Sequence, residues 1–179
     1  HYDRADLHTW RALEAEGFFQ PGDELRDITS GSAGISLALI GSLLGFAVRI
    51  TVPDELPANR VYPMLAYGAQ VVSAGSGYVP AAADQQASEI DSFKDNPTYS
   101  LTRPQTRASR AFLFQASNER ICYLNHSEND LSPLAFSAIG RELVQQVVTA
   151  PDALLLAIGN WTTIAGIVPV IREAWPGTQ

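Results

Sequence analysis

Cysteine and lysine are almost absent from this chain of 179 residues. The single cysteine, Cys122, excludes an intrachain disulfide and a metal site built from several thiolates. No spacing of histidines and carboxylates is typical of a metal site either, so no metal is predicted. One cysteine is compatible with a reducing compartment, and we expect a cytoplasmic protein. Of the 12 basic residues only Lys94 is a lysine, so a single side chain can offer a primary amine.

Basic residues and long apolar runs are also scarce. The net charge of -7 argues against broad attraction to nucleic acid or to an anionic membrane. The longest apolar stretch, residues 33–48, contains serines and glycines and is shorter than the roughly 20 residues of a membrane span. The first residues are polar, so no secretory signal is expected. We therefore expect no nucleic-acid and no membrane partner, and a small ligand instead.

Strand-like and helix-like segments alternate along the chain. Helices are predicted at 3–16, 33–44, 59–67, 81–93, 133–148 and 162–175, and strands at 24–29, 47–52, 70–73, 120–124 and 153–158. The last strand is a continuous apolar run, typical of a strand covered on both faces. Residues 94–118 are interpreted as an insertion with irregular or short helical structure. This alternation predicts an α/β fold with a doubly wound parallel sheet and crossover helices.

The segment Thr29–Gly34, which reads Thr-Ser-Gly-Ser-Ala-Gly, lies between a predicted strand and a predicted helix. Doubly wound sheets bind ligands at this edge, and small residues let the backbone approach closely. The free N–H groups and positive dipole of a helix N-terminus attract a carboxylate or phosphate. The segment is therefore predicted to hold an anionic group. The alternative is a turn in which Ser30 or Ser32 only caps the helix.

Two further candidates are weaker. Gly159-Asn160-Trp161-Thr162-Thr163 also joins a predicted strand to a helix and could cradle a phosphate, but the alternative is a cap with a packed tryptophan. His126 follows a strand end and is a candidate acid or base, whereas its alternative is a surface or capping histidine.

Taken together, these segments resemble the fold-type II pyridoxal-phosphate family, nearest to cysteine synthase and cystathionine β-synthase, with the fold also seen in tryptophan synthase β. The resemblance covers most of the chain apart from residues 78–120. It implies a pyridoxal-phosphate cofactor and a β-replacement or β-elimination on a serine- or cysteine-like amino acid. The matching segments are Asp3-Arg4, Gln20-Pro21-Gly22, Thr29 to Ile35, Ile50 to Pro53, Arg60, Gly68 to Val72, Ile139 to Glu142 and Gly159 to Gly166.

The resemblance also assigns roles to individual residues. It implies that the α-carboxylate of the substrate is held by Thr29, Ser30, Gly31, Ser32 and Ala33. Ser32 stands where the family has an asparagine that also contacts the cofactor, and Asn125 falls near a family glutamine that contacts the carboxylate. The cofactor phosphate is assigned to Gly159, Asn160, Trp161, Thr162 and Thr163.

Two departures from the family concern the cofactor. Tyr2 occupies the catalytic position of the Schiff-base lysine, and tyrosine cannot form an imine. Trp161 and Thr162 replace two glycines of the phosphate loop, which should restrict the approach of a phosphate. Pyridoxal phosphate is therefore expected to bind non-covalently or to be lost. The alternative function is a non-catalytic homologue that binds an amino acid or a protein partner, and a purely structural role is a third possibility.

The resemblance finally predicts the domain organisation. Residues 1–150 correspond mainly to the smaller α/β substrate-binding domain, with a divergent insertion at about 78–120, and residues 151–179 begin the second α/β domain. We therefore expect an incomplete fold-type II unit. Because family members are commonly dimers, a homodimer is also expected.

Overall fold

The computed structural model describes residues 2–106, 110–159 and 161–179. Its helices are α1 (Tyr2–Ala15), α2 (Ser32–Leu44), α3 (Ala58–Ala66), α4 (Tyr78–Lys94), α5 (Leu131–Gln146) and α6 (Thr162–Ala174). Its strands are β1 (Glu24–Ile28), β2 (Ala47–Val52), β3 (Gln70–Ser73), β4 (Ser100–Thr102), β5 (Phe112–Ala116) and β6 (Glu119–Tyr123). A 3-10 turn, His126–Glu128, follows β6. All six predicted helices and four of the five predicted strands are confirmed, with ends that differ by at most three residues.

The strands form one six-stranded sheet in the order β3-β2-β1-β6-β5-β4. The pairs β3–β2, β2–β1 and β1–β6 are parallel, whereas β5 runs antiparallel to both β6 and β4. The predicted doubly wound parallel sheet is therefore confirmed for four strands, and the whole sheet is mixed. β1 and β6 are neighbours but are not consecutive along the chain, so the crevice at their carboxyl ends is a topological switch point, where open α/β sheets bind ligands.

Alternation of side chains along the strands creates two apolar layers. On one face Leu25, Ile50 and Cys122 pack against Trp10 of α1 and Leu37 of α2. On the other face Phe114, Ile121 and Tyr123 pack against Ile90 and Phe93 of α4. Helices therefore cover both faces of the sheet, as crossover connections require.

The interpretation of residues 94–118 as irregular or short helical is wrong. This segment contains β4, and β5 and β6 form a hairpin across Ser117 and Asn118. The aromatic alternation Phe112-Leu113-Phe114 is the strand signal, and the ring of Phe112 stacks on that of Tyr123 with centroids 5.2 Å apart. The prolines and arginines that precede this strand are typical of irregular structure, and they led to the wrong prediction for the whole segment.

The predicted strand at 153–158 is also wrong. No described strand lies beside this segment, whose backbone instead pairs with Gln179: Leu154 N donates to Gln179 O, and Gln179 N donates to Asp152 O. Leu155 is 90% exposed, so the apolar run is not covered. Apolar composition favours a buried strand only where neighbouring strands and helices are present to bury it.

Two arginines, the buried Arg26 and the partly buried Arg120, hold the sheet to its surroundings. Arg120 donates from Nε to the fully buried Asp23 at 2.6 Å and also contacts Phe18 O at 3.2 Å. Arg26 pairs with Glu24 and with Glu89 of α4 on the opposite face. Within the described ranges, no helix is long and apolar enough to cross a bilayer.

Candidate functional site

The Thr29–Gly34 segment follows β1 at the switch point and leads directly into α2. Thr29 is buried, and its Oγ1 accepts hydrogen bonds from Gly31 N at 3.0 Å and Gly34 N at 3.4 Å. Gly31 has a φ of 142°, which favours glycine, and a Cβ on Gly34 would lie 2.5 Å from Thr29 Cγ2. The alternative that Ser30 or Ser32 caps the helix is wrong, because α2 has no side-chain cap at its N-cap position. The hydroxyl of Thr29 fixes the shape of the loop instead.

The amides of Ser32 and Ala33 are the donors that this loop leaves available. Neither N–H has an acceptor among the described residues, whereas Ile35 N already bonds to Gly31 O. Both lie in the first turn of α2, where the helix dipole is positive. Ser32 is exposed and Ala33 is buried. Two adjacent free amides at a helix N-terminus can bind one carboxylate.

Arg60 of α3 lies over the same loop. Its Nη1 donates to Ser30 O at 3.0 Å, and a Cβ on Gly31 would lie 2.6 Å from Arg60 Cδ. The guanidinium thus adds a positive charge to a loop that already presents free amides. Sequence analysis did not predict this role, and its only signal was the place of Arg60 in the family resemblance.

A buried acidic pair lies behind the loop with His126. His126 Nδ1 is 3.1 Å from Asp27 Oδ2, and the same carboxylate oxygen accepts His126 N at 3.1 Å. Asp6 of α1 faces them, and its Oδ2 is buried with no hydrogen bond to the described residues. These three residues line a small enclosed cavity with Thr29 and Ala33, which has room for about one water molecule.

The environment shifts the pKa values of this cluster. Burial raises the pKa of Asp6 to about 7, although nearby Ser36 and the charge of His126 oppose the shift. Burial alone would lower the pKa of His126, but the charge and hydrogen bond of Asp27, together with the charge of Asp6, raise it above its usual value. The cluster can therefore hold or release a proton near neutral pH.

Several predicted site residues meet around His126. The ring of Tyr2 makes an edge contact with the ring of His126, with centroids 6.0 Å apart. Asn125 precedes His126 in a left-handed conformation (φ 51°), and its Nδ2 donates to Glu128 Oε2 at 3.3 Å. Thr29 and Ala33 line the same cavity as His126. The structure thus brings Tyr2, His126 and residues of the Thr29–Gly34 segment together.

The predicted phosphate segment lies at the start of α6, which packs on α5. Asn160 lies outside the described residues, and Gly159 is exposed. Trp161 adopts a left-handed conformation (φ 67°) with its side chain 65% exposed, so the alternative of a packed tryptophan is wrong. Thr162 and Thr163 begin α6, and Thr162 is buried. Close packing on α5 requires Gly166, whose Cβ would lie 2.4 Å from Pro133 O.

Neither a metal centre nor a lysine is part of this cluster. Among the described residues, no group of three or more histidine, cysteine or acidic side chains could hold a metal ion. Lys94, the only lysine, lies at the end of α4 and donates to Asp91 at 2.8 Å.

Comparison with known proteins identifies the family of the chain. The family described as "Pyridoxal-phosphate dependent enzyme" matches residues 1–179. Cystathionine beta-synthase of Oryctolagus cuniculus is 26% identical over 178 residues, which cover 99% of this chain and 28% of that protein. Cysteine synthase of Staphylococcus aureus is 27% identical over 179 residues, which cover 99% of this chain and 50% of that protein. The chain therefore spans half or less of the length of these relatives.

Solved structures confirm the α/β fold class. A hydrogen sulfide-producing enzyme from Fusobacterium nucleatum has a TM-score of 0.75 at 21% identity, covering 99% of this chain and 51% of the other. Cysteine synthase from Entamoeba histolytica has a TM-score of 0.74 at 22% identity, covering 98% and 45%. At these identities the likeness concerns the fold alone.

Proposed function

The chain belongs to the family of pyridoxal-phosphate dependent enzymes, whose members bind pyridoxal phosphate, and from this premise we propose that it binds the α-carboxylate of a serine- or cysteine-like amino acid. Its relatives are cysteine synthases and cystathionine beta-synthases. Any reaction that this chain catalyses is then a β-replacement or β-elimination on such an amino acid.

The observation that carries this proposal is the pair of free amides at Ser32 and Ala33, next to the guanidinium of Arg60. A carboxylate placed there receives two backbone donors, the positive end of the helix dipole and a nearby cation. Asn125, at the end of the neighbouring strand β6, is proposed to contact the same ligand.

The cofactor fits this site less well. We propose that Tyr2 stands where the family has its Schiff-base lysine. Its phenol cannot form an imine, and the described residues around His126 offer no amine. The residues present therefore do not fit covalent attachment of pyridoxal phosphate beside the Thr29 loop, and no reaction step is assigned to the cofactor here. The proposal has two alternatives for the cofactor. Either pyridoxal phosphate binds non-covalently, with its phosphate near the segment Gly159 to Thr163, or the chain has lost the cofactor.

Calorimetric titration with L-serine tests the carboxylate site. Ser30→Ala and Gly31→Val should each weaken binding about tenfold or more, because the first removes a hydroxyl beside the ligand and the second forces the loop away from Arg60. Ser42→Ala, an exposed serine at the other end of α2, is the matched control and should bind as the native chain does. Unchanged affinity in both loop variants would remove the loop from the site.

A visible absorption spectrum tests the cofactor separately. An imine band after addition of pyridoxal phosphate, fixed by borohydride onto Lys94 and located by mass spectrometry, would support an active enzyme with a displaced amine. A colourless protein that still binds L-serine would support the non-catalytic homologue. Absence of both signals would contradict the proposed function.

A further inference from the structure

A second cavity is lined in part by Asn125. It has a volume of about 350 Å³ and is open to solvent, with walls from the end of α4, the end of β4, the start of β5 and the segment after β6. This volume lies at the lower end of the range found for small-molecule sites, roughly 300–1,000 Å³. The proposed amino-acid site does not use it.

Cations concentrate at this cavity in a chain whose net charge is -7. Lys94, Arg103 and Arg110 line it, together with the carboxylates of Asp91 and Glu128. The two carboxylates already have partners, because Lys94 Nζ donates to Asp91 at 2.8 Å and Asn125 donates to Glu128 at 3.3 Å. Neither Arg103 nor Arg110 makes an ion pair with any described residue. The three cations outnumber the two carboxylates, so the lining carries a net positive charge, and neither guanidinium is within ion-pair distance of a described carboxylate.

The remaining wall of the cavity is apolar and includes an aromatic ring. Ile90, Leu101 and Phe112 line it. The guanidinium carbon of Arg103 lies 5.6 Å from the centroid of the Phe112 ring, which orients this side chain by a cation–π contact. Leu101 is 44% exposed, although it lies in a strand. Because the Phe112 ring is already stacked on Tyr123 and carries Arg103, the aliphatic side chains of Ile90 and Leu101 form the open apolar wall beside the oriented cation.

We infer that this cavity, which we call the arginine cavity, binds a small organic oxyanion with an apolar body. Planar guanidinium groups match the geometry of a carboxylate or a phosphate ester, which Arg103 and Arg110 would each bind through paired N–H groups. The apolar body would lie against Ile90 and Leu101. This inference is independent of the proposed amino-acid binding, although Asn125 borders both sites.

Titrations followed by NMR test the inference with four probes. Benzoate and phenyl phosphate carry the oxyanion on an aromatic ring, benzamide has the ring without the charge, and inorganic phosphate has the charge without the ring. We expect at least one aromatic anion to bind, and benzamide and inorganic phosphate to bind at least about tenfold more weakly. Tighter binding of benzoate or of phenyl phosphate identifies the oxyanion as a carboxylate or as a phosphate ester.

Variants locate the binding. Arg103→Gln and Arg110→Gln should each weaken the aromatic anion roughly tenfold, and Arg103→Lys should have a smaller effect because it keeps the charge. Arg172→Gln, an exposed arginine near the end of α6, is the matched control and should leave the affinity unchanged. Unaltered circular dichroism and melting temperature verify that each variant is folded.

Several results would overturn the inference. Benzamide could bind as tightly as benzoate, or inorganic phosphate as tightly as phenyl phosphate. Both glutamine variants could bind the aromatic anion with native affinity. Neither aromatic anion could bind at millimolar concentration. Ser30→Ala should leave the binding of the aromatic anion unchanged. The arginine cavity and the amino-acid site can therefore fail independently.

Discussion

Replacing Asp6 with asparagine tests the electrostatics of the buried cluster behind the Thr29 loop. Burial raises the pKa of Asp6 from 3.8 to about 7 in the folded protein. The unfolded chain therefore releases this proton at a lower pH than the folded protein does. The stability associated with the protonated carboxyl is complete below about pH 4 and is lost as the pH rises through about 7.

The size of the effect follows from these two pKa values. A difference of about 3 between them corresponds to about 4 kcal/mol of unfolding free energy at pH 8. His126 acts in the same direction, because its pKa is higher in the folded protein than in the unfolded chain. The stability that His126 contributes is therefore present at a pH below its pKa in the unfolded chain, and it is lost as the pH rises through its pKa in the folded protein. Since ionised Asp6 also attracts the charged His126, we expect the native chain to lose about 2–4 kcal/mol between pH 5 and pH 8.

Urea unfolding followed by tryptophan fluorescence at pH 5 and pH 8 measures this loss, with Trp10 as a buried reporter. Asp6→Asn should lose much less stability than the native chain over this range and should be the more stable of the two at pH 8. Asp84→Asn, which changes an exposed aspartate on α4, is the matched control and should behave as the native chain does. Equal losses in all three proteins would refute the assignment of a buried proton to Asp6.

Two further predictions concern the ion pair of Arg120 with Asp23 and the role proposed for Tyr2. Asp23→Ala should lower the unfolding free energy by about 3–5 kcal/mol, because it leaves Arg120 largely buried without its partner. Glu142→Ala, at the exposed pair with Arg4, should cost far less in the same urea titration, and equal losses would contradict this reasoning. Tyr2→Lys should not by itself give an imine band with pyridoxal phosphate, because we propose that Trp161 takes the place of a family glycine and restricts the approach of the phosphate. A strong band that borohydride fixes onto the new lysine would show that this departure is harmless.

The helices and the central strands could be predicted from the sequence because their signals are local. In α1, the buried residues Ala5, Thr9 and Leu13 recur at helical spacing. In α2, Gly45 ends the helix in a left-handed conformation, as its place after an apolar run predicts. The hairpin of β5 and β6 was missed because its aromatic alternation is short and follows a segment rich in arginine and proline. The apolar run at 153–158 was wrongly predicted to be a strand, because its composition does not show whether a neighbouring strand is present to pair with it.

The sequence by itself determined the α/β class, the family and the loop at Thr29, since each depends on residue types at fixed spacing. Only the tertiary structure decided which side chains share that site. Asp6, Asp27 and His126 are far apart along the chain, and they meet because parallel β1 and β6 end at the same edge of the sheet with α1 packed beside them. Arg60 reaches the loop for the same kind of reason. Packing sets such long-range contacts, and no local pattern encodes them.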